Sequence, residues 1–166
     1  GTGKSKVCID DMCIAYQQKE INCGIVVAPK GVYRNWSQLE IPKHINDEID
    51  HDIVVWSNST SMKNKKQLRK LFEKNEKLKF FVINIEAFRT RKGIEFTKKV
   101  LQENNCLMAI DESTVIKNPQ ALQTKNILNL RKLIKKRRLL SGMPVTKSPL
   151  DLFSQCQFLH PNVLEY

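Results

Sequence analysis

Gly1-Thr2-Gly3-Lys4-Ser5 opens the chain. These residues fit the last five positions of the phosphate-loop pattern G-x-x-x-x-G-K-[ST]. The reading expects the strand that carries such a loop to be missing from this chain. Glycines let backbone N–H groups approach phosphate oxygens closely. Lys4 would set its ammonium against the β- and γ-phosphates, and Ser5 would offer a hydroxyl to Mg²⁺. A helix launched from the loop would add the positive end of its dipole. Alone, the pentapeptide also reads as a Gly-rich turn with a solvated lysine. Two later blocks decide the matter.

Leu107-Met108-Ala109-Ile110-Asp111-Glu112 is an apolar run ending in two carboxylates. Asp111 sits where a metal-holding carboxylate belongs, and Glu112 could polarise an attacking water as general base. Read singly, the pair is also a solvated acidic start to a helix. Leu139-Leu140-Ser141-Gly142-Met143-Pro144 is a second apolar run ending in a turn. There Ser141 and Gly142 are candidates to couple the phosphate site to a second site. This block too could be a turn and nothing more.

Around these blocks the chain alternates. Residues 4–19 read as a helix, with Val7, Met12 and 14–16 available for burial. Short apolar strands are expected at 24–28, 52–56, 80–85, 107–110 and 138–141. Helices are expected near 35–40, 62–75, 94–104, 120–134 and 149–159. Continuous apolar strands alternating with helices imply an α/β fold: a mainly parallel sheet covered on both faces. Such sheets bind ligands beyond the carboxyl ends of their strands, where all three blocks fall. No repeat or linker divides the 166 residues.

Lys and Arg number 28 against 17 Asp and Glu, a formal net charge of +11. That excess favours a polyanionic partner, since cations meeting phosphates release condensed counterions. Cysteines 8, 13, 23, 106 and 156 form no C-x-x-C pair, and His44, His51 and His160 complete no zinc pattern. Reduced thiols in a cytoplasmic compartment are expected. No apolar run is long enough to span a bilayer, and no signal peptide is visible. The chain also lacks an initiator Met, so its N-terminus is expected to be lost or processed.

Together the blocks resemble the first RecA-like lobe of a superfamily 2 helicase, and more narrowly the Swi/Snf-like double-stranded-DNA translocases. Ile25-Val26-Val27-Ala28-Pro29-Lys30 with Asn35-Trp36 is similar to that family's motif Ia. Val82-Ile83-Asn84-Ile85-Glu86 occupies the place of motif Ib. Asp111-Glu112-Ser113-Thr114 stands where the family has Asp-Glu-x-His, and Ile116-Lys117-Asn118 matches its Ile-Lys-Asn. Residues 139–145 look like motif III, and 148–153 like the helix start after it. The Asp-Glu-Ser-Thr variant and compact size are most similar to bacteriophage Swi/Snf-like helicases. Thr114 replaces the usual His of motif II and Met143 the usual Thr of motif III, which puts coupling in doubt more than nucleotide binding.

The resemblance implies a RecA-like P-loop NTPase lobe over residues 1–166. ATP and Mg²⁺ would be its cofactors, DNA its partner, and a second RecA-like lobe, absent here, would complete the motor. Gly1–Ser5 would hold the phosphates, Ser5 and Asp111 the metal, and Lys4, Asp111 and Glu112 would serve catalysis. Lys30 and Arg34 would meet DNA phosphates, positioning the duplex without reading sequence. Trp36 is a contact candidate that also reads as core. Lys117 and Asn118 face DNA or support their loop. The basic runs at 63–70 and 131–138 read as solvated faces. A non-catalytic nucleic-acid-binding module and an RNA helicase lobe are the alternative functions.

Overall fold

Runs of five to seven residues, apolar above all in the central strands, become a parallel sheet. The computed structural model describes residues 3–160. Among these, β1 (Cys23–Ala28), β2 (His51–Val55), β3 (Leu78–Asn84), β4 (Cys106–Asp111) and β5 (Lys136–Leu140) form one sheet in the order β2-β3-β1-β4-β5. Every pairing is parallel. Helix α1 (Lys4–Gln17) precedes β1, and helical segments cross between the strands: α2 (Tyr33–Asn35), α3 (Ile41–His44), α4 (Met62–Arg69), α5 (Arg91–Glu103) and α6 (Leu122–Leu130), with α7 (Phe153–Leu159) after β5. A π turn, Trp36–Glu40, joins α2 to α3.

Burial follows position in the sheet. Every residue of β1 is buried, and β3 and β4 are buried up to their last residue, whereas β5 is half-buried throughout. Central strands covered on both faces are mostly apolar and edge strands need not be; the buried Lys79 near the start of β3 is the exception, its ammonium donating to the Leu71 and Glu73 carbonyls. Ile25 and Val27 face a core with Ile83, Ile110, Leu71, Val100, Ile127 and Phe158. Val26 and Ala28 face the opposite core, with Cys8, Ile9, Met12, Trp36 and Ile41. At one position helix and turn meet backbone to backbone: a Cβ on Gly93 would lie 2.3 Å from the Ala87 carbonyl oxygen.

Two sequence expectations change here. Helix α1 buries Cys8, Ile9, Met12, Cys13 and Ala15, while Val7 and Ile14 are exposed. Val7 and Ile14 are seven residues apart and so share the face turned from the sheet. Strand β5 begins at Lys136, inside the basic run, rather than at 138. An edge strand tolerates those cations because α1 and the turn that follows it supply partners. Lys136 pairs with Glu20, and Arg138 meets Asp11 at 2.7 Å. This part of the run is therefore an anchor for α1, not a solvated face.

Candidate functional site

The carboxyl ends of β4 and β5 converge on the start of α1. Gly3 holds φ 78, the left-handed conformation glycine adopts without strain, and serves as the N-cap of α1. No side chain caps that helix. Its leading N–H groups are therefore available to an anion. Lys4 and Ser5 lie half-buried in the first turn; Gly1 and Thr2 lie outside the described residues. A Cβ on Gly142 would sit 3.8 Å from the Lys4 Nζ, so the ammonium reaches the loop that follows β5.

Asp111 ends β4 with both carboxylate oxygens engaged. Oδ1 accepts the Glu112 backbone N–H at 3.0 Å, and Oδ2 accepts the Trp36 indole N–H at 2.8 Å. Glu112 is exposed and holds φ 50, a left-handed conformation uncommon outside glycine. It caps the 3₁₀ turn Ser113–Ile116. The buried Cys8 thiol lies close enough to feel this site. Burial first, then the charges of Asp11 and Asp111, push it up to about 12 despite the opposing Arg138.

A second chain of contacts joins this strand end to the loop after β5. The Ser113 hydroxyl donates to Gln155 Oε1 at 2.5 Å. Gln155 is buried on α7, and its Nε2 donates to the Pro144 carbonyl at 2.9 Å and the Asp151 carbonyl at 2.7 Å. Asp151 in turn accepts from the Thr146 hydroxyl and from the backbone N–H groups of Lys147 and Thr146, which hold its carboxyl well below the usual range. Ser141 Oγ accepts the Met143 N–H at 3.1 Å, shaping its own turn. The hydrogen-bonded bridge from the Asp-Glu turn to this loop runs through Gln155. Sequence reading missed it; the available signal was an amide among the inward positions of α7.

The nucleic-acid candidates separate by position. Lys30 and Arg34 are exposed, just past the carboxyl end of β1. Beside Lys30 a cleft of about 340 Å³ is lined by Trp56, Ser57, Asn58, Asn84 and Glu86. Burial raises the Glu86 carboxyl, but hydrogen bonds from Asn84 and from backbone N–H groups outweigh it, and the net shift is downward. Trp36 corrects an expectation: it is 2% exposed, and its indole N–H is spent on Asp111. That places it in the core, where no contact with DNA is open to it. Lys117 donates to Thr146 Oγ1, and Asn118 Oδ1 accepts the Gln120 N–H; Asn118 is exposed and Lys117 half-buried.

The donor set suits Mg²⁺. Ser5 and Asp111 carry hard oxygen donors, few in number, of the kind taken by an ion that keeps waters and phosphate oxygens in its shell. No cluster of three or more His, Cys, Asp or Glu exists among the described residues to form an all-protein cage. Cys8, Cys13, Cys23 and Cys106 are buried free thiols, while Cys156 is half-buried on α7. No helix among the described residues is long and apolar enough to cross a membrane.

Comparison with known proteins adds the following. The model of the SNF2-related domain matches residues 5–166. Protein CHROMATIN REMODELING 25 of Arabidopsis thaliana is 28% identical over 141 residues, covering 84% of this chain and 14% of that protein. DNA repair and recombination protein RAD54 of Oryza sativa subsp. japonica is 26% identical over 155 residues, covering 92% of this chain and 15% of the relative. Chromatin-remodeling ATPase INO80 of Aspergillus niger is 27% identical over 146 residues, 85% of this chain and 8% of the relative. The chain thus spans a small part of the length of these relatives. Among solved structures, the Sulfolobus solfataricus SWI2/SNF2 ATPase core in complex with dsDNA superposes with a TM-score of 0.69 at 22% identity. It covers 100% of this chain and 31% of that one, a likeness of RecA-like fold.

Proposed function

Because the chain belongs to the SNF2-related domain family over residues 5–166, we propose that it is the ATP-binding lobe of an ATP-dependent DNA translocase or helicase. The observation that carries this reading is the convergence of Lys4, Asp111 and the Gly142 loop at one end of the strand edge, with Lys30 and Arg34 exposed farther along it. The relatives, two remodelling proteins and a DNA repair protein, and a structural neighbour bound to dsDNA support ATP and duplex DNA as ligands. The Asp111-Glu112-Ser113-Thr114 variant supports placement in the compact bacteriophage branch. Buried free thiols support a reducing, cytoplasmic compartment.

In this reading the lobe binds and orients. The N-terminus of α1 and the Lys4 ammonium take the phosphates of ATP. Ser5 and Asp111 would hold Mg²⁺, which when bound would neutralise phosphate charge. Glu112, turned outward by its left-handed backbone, accepts a proton from the attacking water. A second RecA-like lobe closes over the site and supplies an arginine, a contribution of about 10³–10⁵ in rate where such residues act. Lys30 and Arg34 hold the DNA backbone, and alternation of closed and open states moves the pair along it.

Binding of a fluorescent Mg-ATP analogue to the intact protein and to Lys4→Ala tests the site. Wild type should bind, and the variant should keep its fold and lose the analogue. Equal affinity in both would remove Lys4 from the site. Duplex DNA should then stimulate hydrolysis by wild type, and Glu112→Gln should bind ATP without turning it over.

A further inference from the structure

The edge with Lys30 and Arg34 and the edge with Asp111 belong to opposite halves of the sheet. Chain order reverses between β1 and β4: from β1 the sheet extends one way through β3 and β2, and the other way through β4 and β5. Crevices for ligands form at such points. Among the described residues, one side-chain hydrogen bond spans this one at the carboxyl ends of β1 and β4. The segment leaving β1 carries Lys30, then Arg34, then Trp36, whose indole N–H reaches the Asp111 Oδ2 at 2.8 Å. Trp36 also opens the π turn Trp36–Glu40. Such turns are rare and concentrate at functional sites. Its neighbours fix the ring: it packs in the core containing Ile9, Met12 and Ile41.

We propose that Trp36 is a positioning residue that couples the DNA-facing segment to the metal-holding carboxylate. The inference rests on the motor reading above. Asp111 is aimed by two donors, and they differ in kind. The Glu112 N–H is adjacent in sequence and moves with Asp111. The Trp36 N–H comes from the segment that carries the phosphate-contact candidates. A shift of that segment when DNA binds changes the bond to Oδ2, and with it the direction in which the remaining lone pairs of Asp111 point. By linkage, Mg-nucleotide then alters DNA affinity by the same factor. Trp36 touches neither ligand; it acts through Asp111.

The test uses the intact protein with Trp36→Phe, which keeps an aromatic ring and removes the N–H. Affinity for a non-hydrolysable Mg-ATP analogue is measured with and without duplex DNA, and DNA affinity with and without the analogue. In wild type each ligand should alter the other's affinity. In Trp36→Phe that coupling factor should fall by about fivefold or more, while DNA affinity without nucleotide stays within about twofold. A residue that only fills the core would leave the coupling factor unchanged in folded protein, and that result overturns the inference. Fluorine NMR of fluorotryptophan-labelled wild type needs no folded Trp36 variant. The Trp36 signal, identified as the one displaced in Asp111→Ala, should move on addition of either ligand. A signal indifferent to Asp111→Ala and to both ligands also overturns it. Wild type that binds no Mg-nucleotide defeats the motor reading itself, and the inference with it. Wild type that binds and couples both ligands while Trp36→Phe does the same defeats the inference alone.

Discussion

Glu112 is held where most side chains are disfavoured, at φ 50. Left-handed backbone outside glycine costs roughly 1–2 kcal/mol, and such strain gathers at functional sites. Glu112→Gly should therefore unfold later, by about 0.5–1 kcal/mol after the added flexibility of glycine is deducted, and should lose turnover. Chemical denaturation and an ATPase assay on the same variant would show both. Cys8 makes a different prediction. Its folded-state thiol is raised from 9.0 to about 12, so folding favours the protonated form. The stability this contributes is complete below pH 9 and is lost as pH climbs from 9 toward 12. Cys8→Ala should flatten that alkaline fall in a series of melts across pH.

Among the elements, α7 and the turn after β4 are joined by one buried amide. Gln155→Leu would orphan the Ser113 hydroxyl and the Pro144 carbonyl, and leaving buried polar groups unmade costs about 1–3 kcal/mol each. The variant should melt earlier, and in the intact protein its ATP turnover should fall more than its ATP affinity. Equal loss in both would assign Gln155 to the fold alone. Gly93→Ala should also destabilise, by about 1–3 kcal/mol, because the contact it violates is with backbone.

The elements themselves were largely legible. Continuous apolar runs announced β1, β3 and β4, since a strand covered on both faces has few polar positions to disguise it. The carboxylates ending β4 and the turn after β5 were legible for the same reason: polarity returns where the sheet stops. Strand β5 begins two residues earlier than its apolar end suggests because Lys136 and Arg137 look like loop until Glu20, just past α1, is brought beside Lys136. The phase of α1 was half-legible, as an apolar Val7 or Ile14 does not reveal which face meets the sheet. Trp36 and Gln155 were not readable in role at all. Their partners lie 75 and 42 residues away in sequence, and only the sheet order makes them neighbours.

At the scale of the whole molecule, the charge of +11 and the exposed Lys30 and Arg34 predict a salt-dependent grip on DNA. The logarithm of affinity should fall linearly with that of salt concentration, and Lys30→Ala should lower the slope by about 1 if that side chain meets a phosphate. A slope unchanged in a folded variant would remove Lys30 from the interface. The five thiols offer a route to watching such events. Cys8, Cys13, Cys23 and Cys106 are buried, and burial pushes Cys8 and Cys13 up, away from the reactive thiolate. Cys156 is half-buried and follows Gln155 on α7. A maleimide dye should therefore enter this lobe first at Cys156, with the other four left native. The lobe carries its own attachment point for a fluorophore, one residue from the amide bridge whose rearrangement would report each cycle of the proposed motor.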